Sequence, residues 1–190
     1  GPRNRDVDLG TDLLVGLAVA SPFALSGYEE WRGYGDRSIQ GWLTDGLVIS
    51  ESLAVSLMLM QLTKRLLPRP RPFTYARPPS ASAEVALDAT RSFYSGHTAM
   101  AFAGVVAGVQ SQWRRGRRGG SLAVSASIGL ALAAGVGVGR VVAARHFWTD
   151  VMAGAVIGSL AGWMVPWIHV RQDAGPVEPG DAVSWRLSPL

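Results

Sequence analysis

The amino-acid sequence predicts an all-α integral membrane bundle of about five transmembrane helices, with a region of loops on one side of it. Three observations carry that expectation. Residues 96–113, 121–139 and 151–170 contain no Asp, Glu, Lys or Arg, and each run approaches the roughly 20 residues that cross a bilayer. Two further runs, 11–28 and 43–63, are apolar enough for bundle-facing helices, although the first is short and the second carries Asp45 and Glu51. Arginine concentrates in the connections, and an intramembrane carboxylate such as Glu51 is expected to face protein or water rather than lipid. A soluble helical bundle also has apolar core helices, but several runs of this length are hard to bury inside one small domain.

The 190 residues have the size of one domain, and nothing divides them. A single membrane-embedded domain is expected over 1–190, with a motif-bearing core at 64–150 and a polar tail at 171–190. The absence of cysteine excludes disulfides, thiol catalysis and cysteine-ligated zinc. A net charge of +4 and a pI near 10.1 invite a nucleic-acid partner, but the basic residues lie in short loops beside apolar runs rather than on an exposed basic helix. Anionic membrane lipid or phosphate fits that distribution better than nucleic acid. The apolar segment 13–20 follows a mixed-charge opening and lacks a clear cleavage site, so no secretory signal is expected.

In chain order, a polar opening leads to a first helix over 11–27, and YEEWRGYGDRS links it to a second over 43–65. Pro68, Pro70 and Pro72 then deny the backbone the donors and dihedrals of a helix, so Arg69 and Arg71 are presented from extended chain. Residues 73–91 lack periodicity and read as a loop with a short helical turn at 82–89, after which Ser92–Gly96 leads into the apolar helix beginning near His97. Gly104 and Gly108 recur four apart, as do Gly154, Gly158 and Gly162, a spacing that lets membrane helices approach closely. Such stripes pack either within one chain or between two, which leaves a homo-oligomer open.

Candidate chemical groups fall in three clusters at apolar helix ends, and alternating the helices up and down brings them to one side. Singly, each has a plain structural role: a lysine or arginine at a helix end complements the dipole or snorkels, and an aspartate at a helix start caps it. Together they meet the needs of phosphoryl transfer. Lys64, Arg71 and Arg140 can neutralise the equatorial oxygens of a five-coordinate phosphoryl group, the arginines in bidentate fashion, and backbone N–H groups near Ser95 and Gly96 add donors at a helix start. His146 and Asp150 are four apart: on one helix they share a face, and otherwise the loop must deliver the contact. Asp150 can then hold one ring nitrogen as N–H and leave the other as nucleophile, while His97 protonates the leaving oxygen and later activates water.

These residues resemble the type 2 phosphatidic acid phosphatase family, which shares its core with bacterial acid phosphatases and vanadium haloperoxidases. Its first pattern, Lys, six residues and Arg-Pro, is met by KRLLPRPRP with Lys64, Arg71 and Pro72. The second, Pro-Ser-Gly-His, is YSGH here, with Tyr94 in place of the proline. The third, Ser-Arg, five residues, His, three residues and Asp, is GRVVAARHFWTD, with Gly139 in place of the serine. The resemblance implies phosphate binding by Lys64, Arg71, Ser95, Gly96 and Arg140, acid catalysis by His97, and nucleophilic attack by His146 backed by Asp150. It also implies six transmembrane helices for bacterial membrane members, against the five at most found here. His169 matches no motif and reads as an interfacial residue, with Trp163 and Trp167.

The function expected is a metal-independent, cofactor-free membrane lipid phosphatase acting on a lipid phosphate monoester or pyrophosphate through a phosphohistidine. Two rivals are a vanadate-dependent haloperoxidase on the same anion cradle and a non-catalytic lipid-phosphate-binding membrane protein. The small chain and long apolar runs disfavour the first, and the two histidines disfavour the second. Arg114, Arg115, Arg117 and Arg118 mark the opposite end as cytoplasmic, although Arg65, Arg69, Arg77, Arg91 and Arg145 on the catalytic side have no phosphate role to account for them. The resemblance places the protein in the bacterial inner membrane with its site facing outward.

Overall fold

Helices form over the apolar runs and extend beyond them at both ends. The structure, a computed structural model, describes residues 5–33, 39–75 and 83–173. It contains α1 (Arg5–Arg32), α2 (Ile39–Leu66), α3 (Ala83–Ala89), α4 (Gly96–Arg114), α5 (Gly119–Val142) and α6 (Trp148–Asp173), with a 3-10 turn at Pro72–Tyr75. The described residues hold no strand, only an isolated bridge between Arg69 and Arg91, so the all-α expectation holds. Charged residues cap the extensions in the sense the helix dipole favours: Asp6 and Asp8 in the first turn of α1, Lys64 and Arg65 in the last turn of α2. The early start of α1 has consequences for the site. Arg77 and the polar tail from residue 174 lie outside the described residues.

Four helices, α1, α2, α5 and α6, are long and apolar enough to cross a membrane, against about five expected. Leu13, Leu17, Leu47, Met58, Val124, Ile128, Met152 and Val156 are exposed on them, as lipid-facing positions should be. The missing one is α4, and its place explains why. It runs through the centre, in contact with α1, α2, α5 and α6, so small and weakly polar residues such as Gly104, Ala107, Gly108, Ser111 and Gln112 meet protein rather than lipid.

The glycine stripe of α6 packs inside the chain. A methyl group at Gly154, Gly158 or Gly162 would overlap the carbonyl oxygen of Ser95, Ala99 or Ala103 respectively, all on or next to α4. Backbone therefore lies on backbone along this pair. At its upper end the Ser95 N–H donates to the Asp150 carbonyl at 3.0 Å, which fixes the start of α4 against the start of α6.

At the other end, Arg115 binds Asp45 at 2.6 Å and Glu30, and Arg117 binds Glu29. Asp45 is thereby buried and compensated. Glu51 has a protein partner: its side chain, 53% exposed, pairs at 2.6 Å with His169, which thus has a partner of its own. Trp163 and Trp167 stack nearby on α6, 5.9 Å between ring centroids.

Candidate active site

The alternation Pro68-Arg69-Pro70-Arg71-Pro72 leaves only two backbone donors in five residues, and both are used. Arg69 N–H donates to the Thr90 carbonyl at 2.7 Å and Arg71 N–H to the Ala89 carbonyl at 2.8 Å; Ser92 N–H returns a bond to the Arg69 carbonyl at 2.9 Å. Extended chain after α2 is thus stitched to the chain that follows α3. The two arginine side chains leave this ribbon towards the loop between α5 and α6.

That loop, residues 143–147, carries His146. Since α6 begins only at Trp148, the loop delivers the histidine to the aspartate: His146 Nδ1 lies 3.6 Å from Asp150 Oδ2, longer than a hydrogen bond but within ion-pair range. The other ring nitrogen, Nε2, is 3.3 Å from Arg71 Nη1. A guanidinium can only donate, so Nε2 presents its lone pair and the ring proton sits on Nδ1, facing Asp150. Burial, aided by the charges of Arg71, Arg140 and Lys64 and opposed by Asp150, lowers the His146 pKa to about 4, so the imidazole is neutral at pH 7.

Asp150 is fully buried and saturated with donors. Oδ2 accepts from Ser92 Oγ at 2.5 Å and from the Phe147 N–H at 3.0 Å, and Oδ1 accepts from Arg69 Nη1 at 2.6 Å. Arg69 also bonds Thr149 Oγ1 at 2.8 Å and stacks over the Phe147 ring at 4.3 Å.

Of the phosphate-binding candidates, Arg71 is buried, bonded to the Asp88 carboxylate at 2.6 Å and to the Arg145 carbonyl at 3.2 Å. Lys64, at the end of α2, lies within electrostatic reach of Arg71, Arg140 and both site histidines. Ser95 is the N-cap of α4; its Oγ faces Thr98 N at 3.4 Å and Thr98 Oγ1 at 2.8 Å. Its own N–H is taken by Asp150, which corrects the expectation that this group is free for an anion. The N–H groups of Gly96 and His97, in the first turn of α4, have no acceptor within the helix.

Arg140 is 1% exposed and turned towards α1, where Nη1 meets Asp8 at 2.7 Å, Asp12 at 3.0 Å and Thr11 Oγ1 at 3.2 Å. Asp12 also meets His97 Nε2 at 3.0 Å. Lys64, Arg69, Arg71, Arg140 and Arg145 thus stand against Asp8, Asp12, Asp88 and Asp150, an excess of positive charge around a neutral imidazole.

A protein-family model, the PAP2 superfamily, matches residues 45–174. The chain belongs to the PAP2 superfamily. Members are generally phosphoesterases, which supports an enzyme of the phosphatase type, and the four apolar helices support a membrane protein. No curated protein and no solved structure gave a match.

The fold brings all eight site candidates, Lys64, Arg71, Ser95, Gly96, His97, Arg140, His146 and Asp150, to one end of the bundle. Sequence reasoning missed Arg69, Ser92, Asp88, Asp8 and Asp12. Arg69, left without a role by the sequence, is the partner of Asp150. Its signal was the proline on either side, which fixes it in the same ribbon as Arg71. Asp8 and Asp12 carried no signal beyond being carboxylates four apart at the start of an apolar run.

Proposed function

We propose that the protein is a metal-independent membrane phosphatase that hydrolyses a lipid phosphate monoester or pyrophosphate through a phosphohistidine at His146. The observation that carries this reading is the ring orientation of His146, with Nε2 among the cations and Nδ1 towards Asp150. A neutral imidazole whose lone pair points into an anion-attracting cluster is an activated nucleophile. Arg71, Lys64 and Arg140 neutralise the phosphoryl oxygens as the bond from Nε2 to phosphorus forms and the bond to the leaving oxygen breaks. His97 gives that oxygen a proton, then takes one from the water that displaces His146 and releases phosphate. Asp150 steadies the positive charge that develops on the His146 ring.

The position of the cluster at the ends of membrane-length helices supports a lipid substrate whose headgroup sits at the interface and whose chains lie beside α1, α2, α5 or α6. The experiment is phosphate release from phosphatidate, phosphatidylglycerophosphate, a polyprenyl pyrophosphate, a lipid A phosphate and a soluble phosphomonoester in detergent, with His146→Ala as control. Release that survives the substitution removes the mechanism. Activity should persist with a chelator present; sensitivity to it would reveal a metal. Peroxide-dependent halide oxidation on adding vanadate, without phosphate release, would move the protein to the haloperoxidases.

A further inference from the structure

We infer that Asp12, in the first helix, positions and charges His97, so that α1 completes the acid half of the active site. This rests on the phosphatase reading above. Residues 1–44 lie outside the span that matches the PAP2 superfamily, and none of its three patterns includes a carboxylate from this part of the chain. The structure nonetheless puts Asp12 Oδ1 3.0 Å from His97 Nε2 and 3.0 Å from Arg140 Nη1, joining the acid to the third pattern.

How α1 reaches so deep is visible at Gly139, the residue that stands where the family pattern has serine. A side chain at Gly139 would overlap Thr11 Cγ2, and Thr11 is held in place by its hydroxyl, which donates to the Asp8 carbonyl at 2.8 Å. Glycine removes that obstacle. The turn of α1 carrying Asp8, Thr11 and Asp12 can then lie against the last turn of α5, where Asp8 and Asp12 both meet Arg140. The departure from the pattern and the extra carboxylates are two sides of one contact.

The chemistry of the acid step explains what Asp12 adds. His97 must carry two protons to give one to the leaving oxygen, yet burial first, and then the charges of Arg140 and Lys64, disfavour an imidazolium. A carboxylate on Nε2–H offsets part of that penalty and fixes the ring, leaving Nδ1–H as the proton to be delivered. When the bond to phosphorus breaks, that proton moves to the leaving oxygen. The neutral ring, still held at Nε2–H by Asp12, then takes a proton from the attacking water at Nδ1. Arg140 has Asp8 as a second partner at 2.7 Å, so losing Asp12 does not strip it of its support.

The test exploits the leaving group. An acid matters most when the departing oxygen is a poor leaving group, as in a lipid phosphate monoester, and least for p-nitrophenyl phosphate, whose phenolate leaves unaided. Asp12→Asn should lower kcat on the lipid phosphate monoester about 100-fold and on p-nitrophenyl phosphate less than about threefold, since a positioned acid contributes roughly 100- to 10,000-fold. Asp12→Glu should recover part of the lipid activity, and Asp8→Asn should change both substrates together. Equal loss on the two substrates in Asp12→Asn would mean a structural role and overturn the inference, as would no loss on either. The isosteric amide keeps the shape of the site, and a monodisperse peak in detergent verifies folding. A wild-type protein inactive on both substrates would instead remove the phosphatase reading and the inference with it.

Discussion

Arg69 Nη1 lies 2.6 Å from Asp150 Oδ1, joining residues 81 positions apart in the chain. The carboxylate that faces the His146 ring is therefore held by a cation from the first sequence pattern, while its other oxygen is held by Ser92 ahead of the second. Chain from the first pattern and from just ahead of the second thus meets on the carboxylate of the third. Its orientation is fixed by four donors or close contacts before any substrate arrives, which is the condition for an efficient electrostatic site.

Removing Arg69 tests that junction. Arg69→Met should lower kcat by about 10- to 100-fold with little change in KM, the range seen when the residues behind a catalytic ligand are removed. Arg69→Lys should recover only part, because an ammonium lacks the planar face that lies over Phe147 and the fork that also reaches Thr149. Steady-state kinetics on a soluble phosphomonoester decides it. A rise in KM alone would make Arg69 a substrate ligand instead.

Asp150→Asn should act on the same step more strongly. An amide cannot stabilise the positive charge that develops on the ring as His146 attacks phosphorus, and its NH2 group can force the wrong tautomer on the ring. Turnover should fall about 10,000-fold, by analogy with the corresponding change behind a catalytic histidine, with substrate affinity nearly unchanged. Single-turnover kinetics with a binding isotherm separates the two. Loss of affinity without loss of turnover would contradict the assignment.

Much of this was legible in the sequence, for a physical reason. Lys64, Arg71, Ser95, Gly96, His97, Arg140, His146 and Asp150 are anchored at helix ends or in the loops beside them, and apolar runs with proline and glycine boundaries locate helix ends well. The contacts of α1 were hidden because nothing local distinguishes a carboxylate that reaches a distant arginine from one that faces water. Glu51 follows the rule for a charge in an apolar run, since it meets a protein partner, His169, but nothing local named that partner. The difference between four and about five apolar helices lies at α4, since a central helix can be rich in small residues without being strongly apolar.

The close approach of α4 and α6 should make the glycine stripe intolerant of side chains. Gly158→Leu would place carbon atoms on the Ala99 carbonyl, where backbone rather than a mobile side chain stands in the way. Overpacking of this kind costs about 1–3 kcal/mol, and here it also separates Ser95 from Asp150. Expected together are a lower midpoint of thermal unfolding in detergent and a drop in kcat at the remote site. A leucine variant as stable and active as the wild type would show that the two helices are not in contact along this stripe.

The depressed pKa of His146, about 4 in the folded protein, makes stability depend on acidity in a defined direction. The unfolded chain binds a proton at this residue below its ordinary value of about 6.5, whereas the folded chain does not until about pH 4. Between those values the unfolded state holds more protons, so acid favours it. The stabilisation is complete above about pH 6.5, falls by about 3 kcal/mol as pH drops to 4, and changes no further below that. Comparing denaturation of the wild type and His146→Gln across this range isolates the effect, because glutamine does not titrate. The difference in stability between the two should shrink on acidification, and the imidazole resonance of His146 should stay that of the neutral ring down to about pH 5. A His146 that titrates well above pH 7 would mean a protonated ring at the start of the reaction at neutral pH, with no lone pair on Nε2 to attack phosphorus.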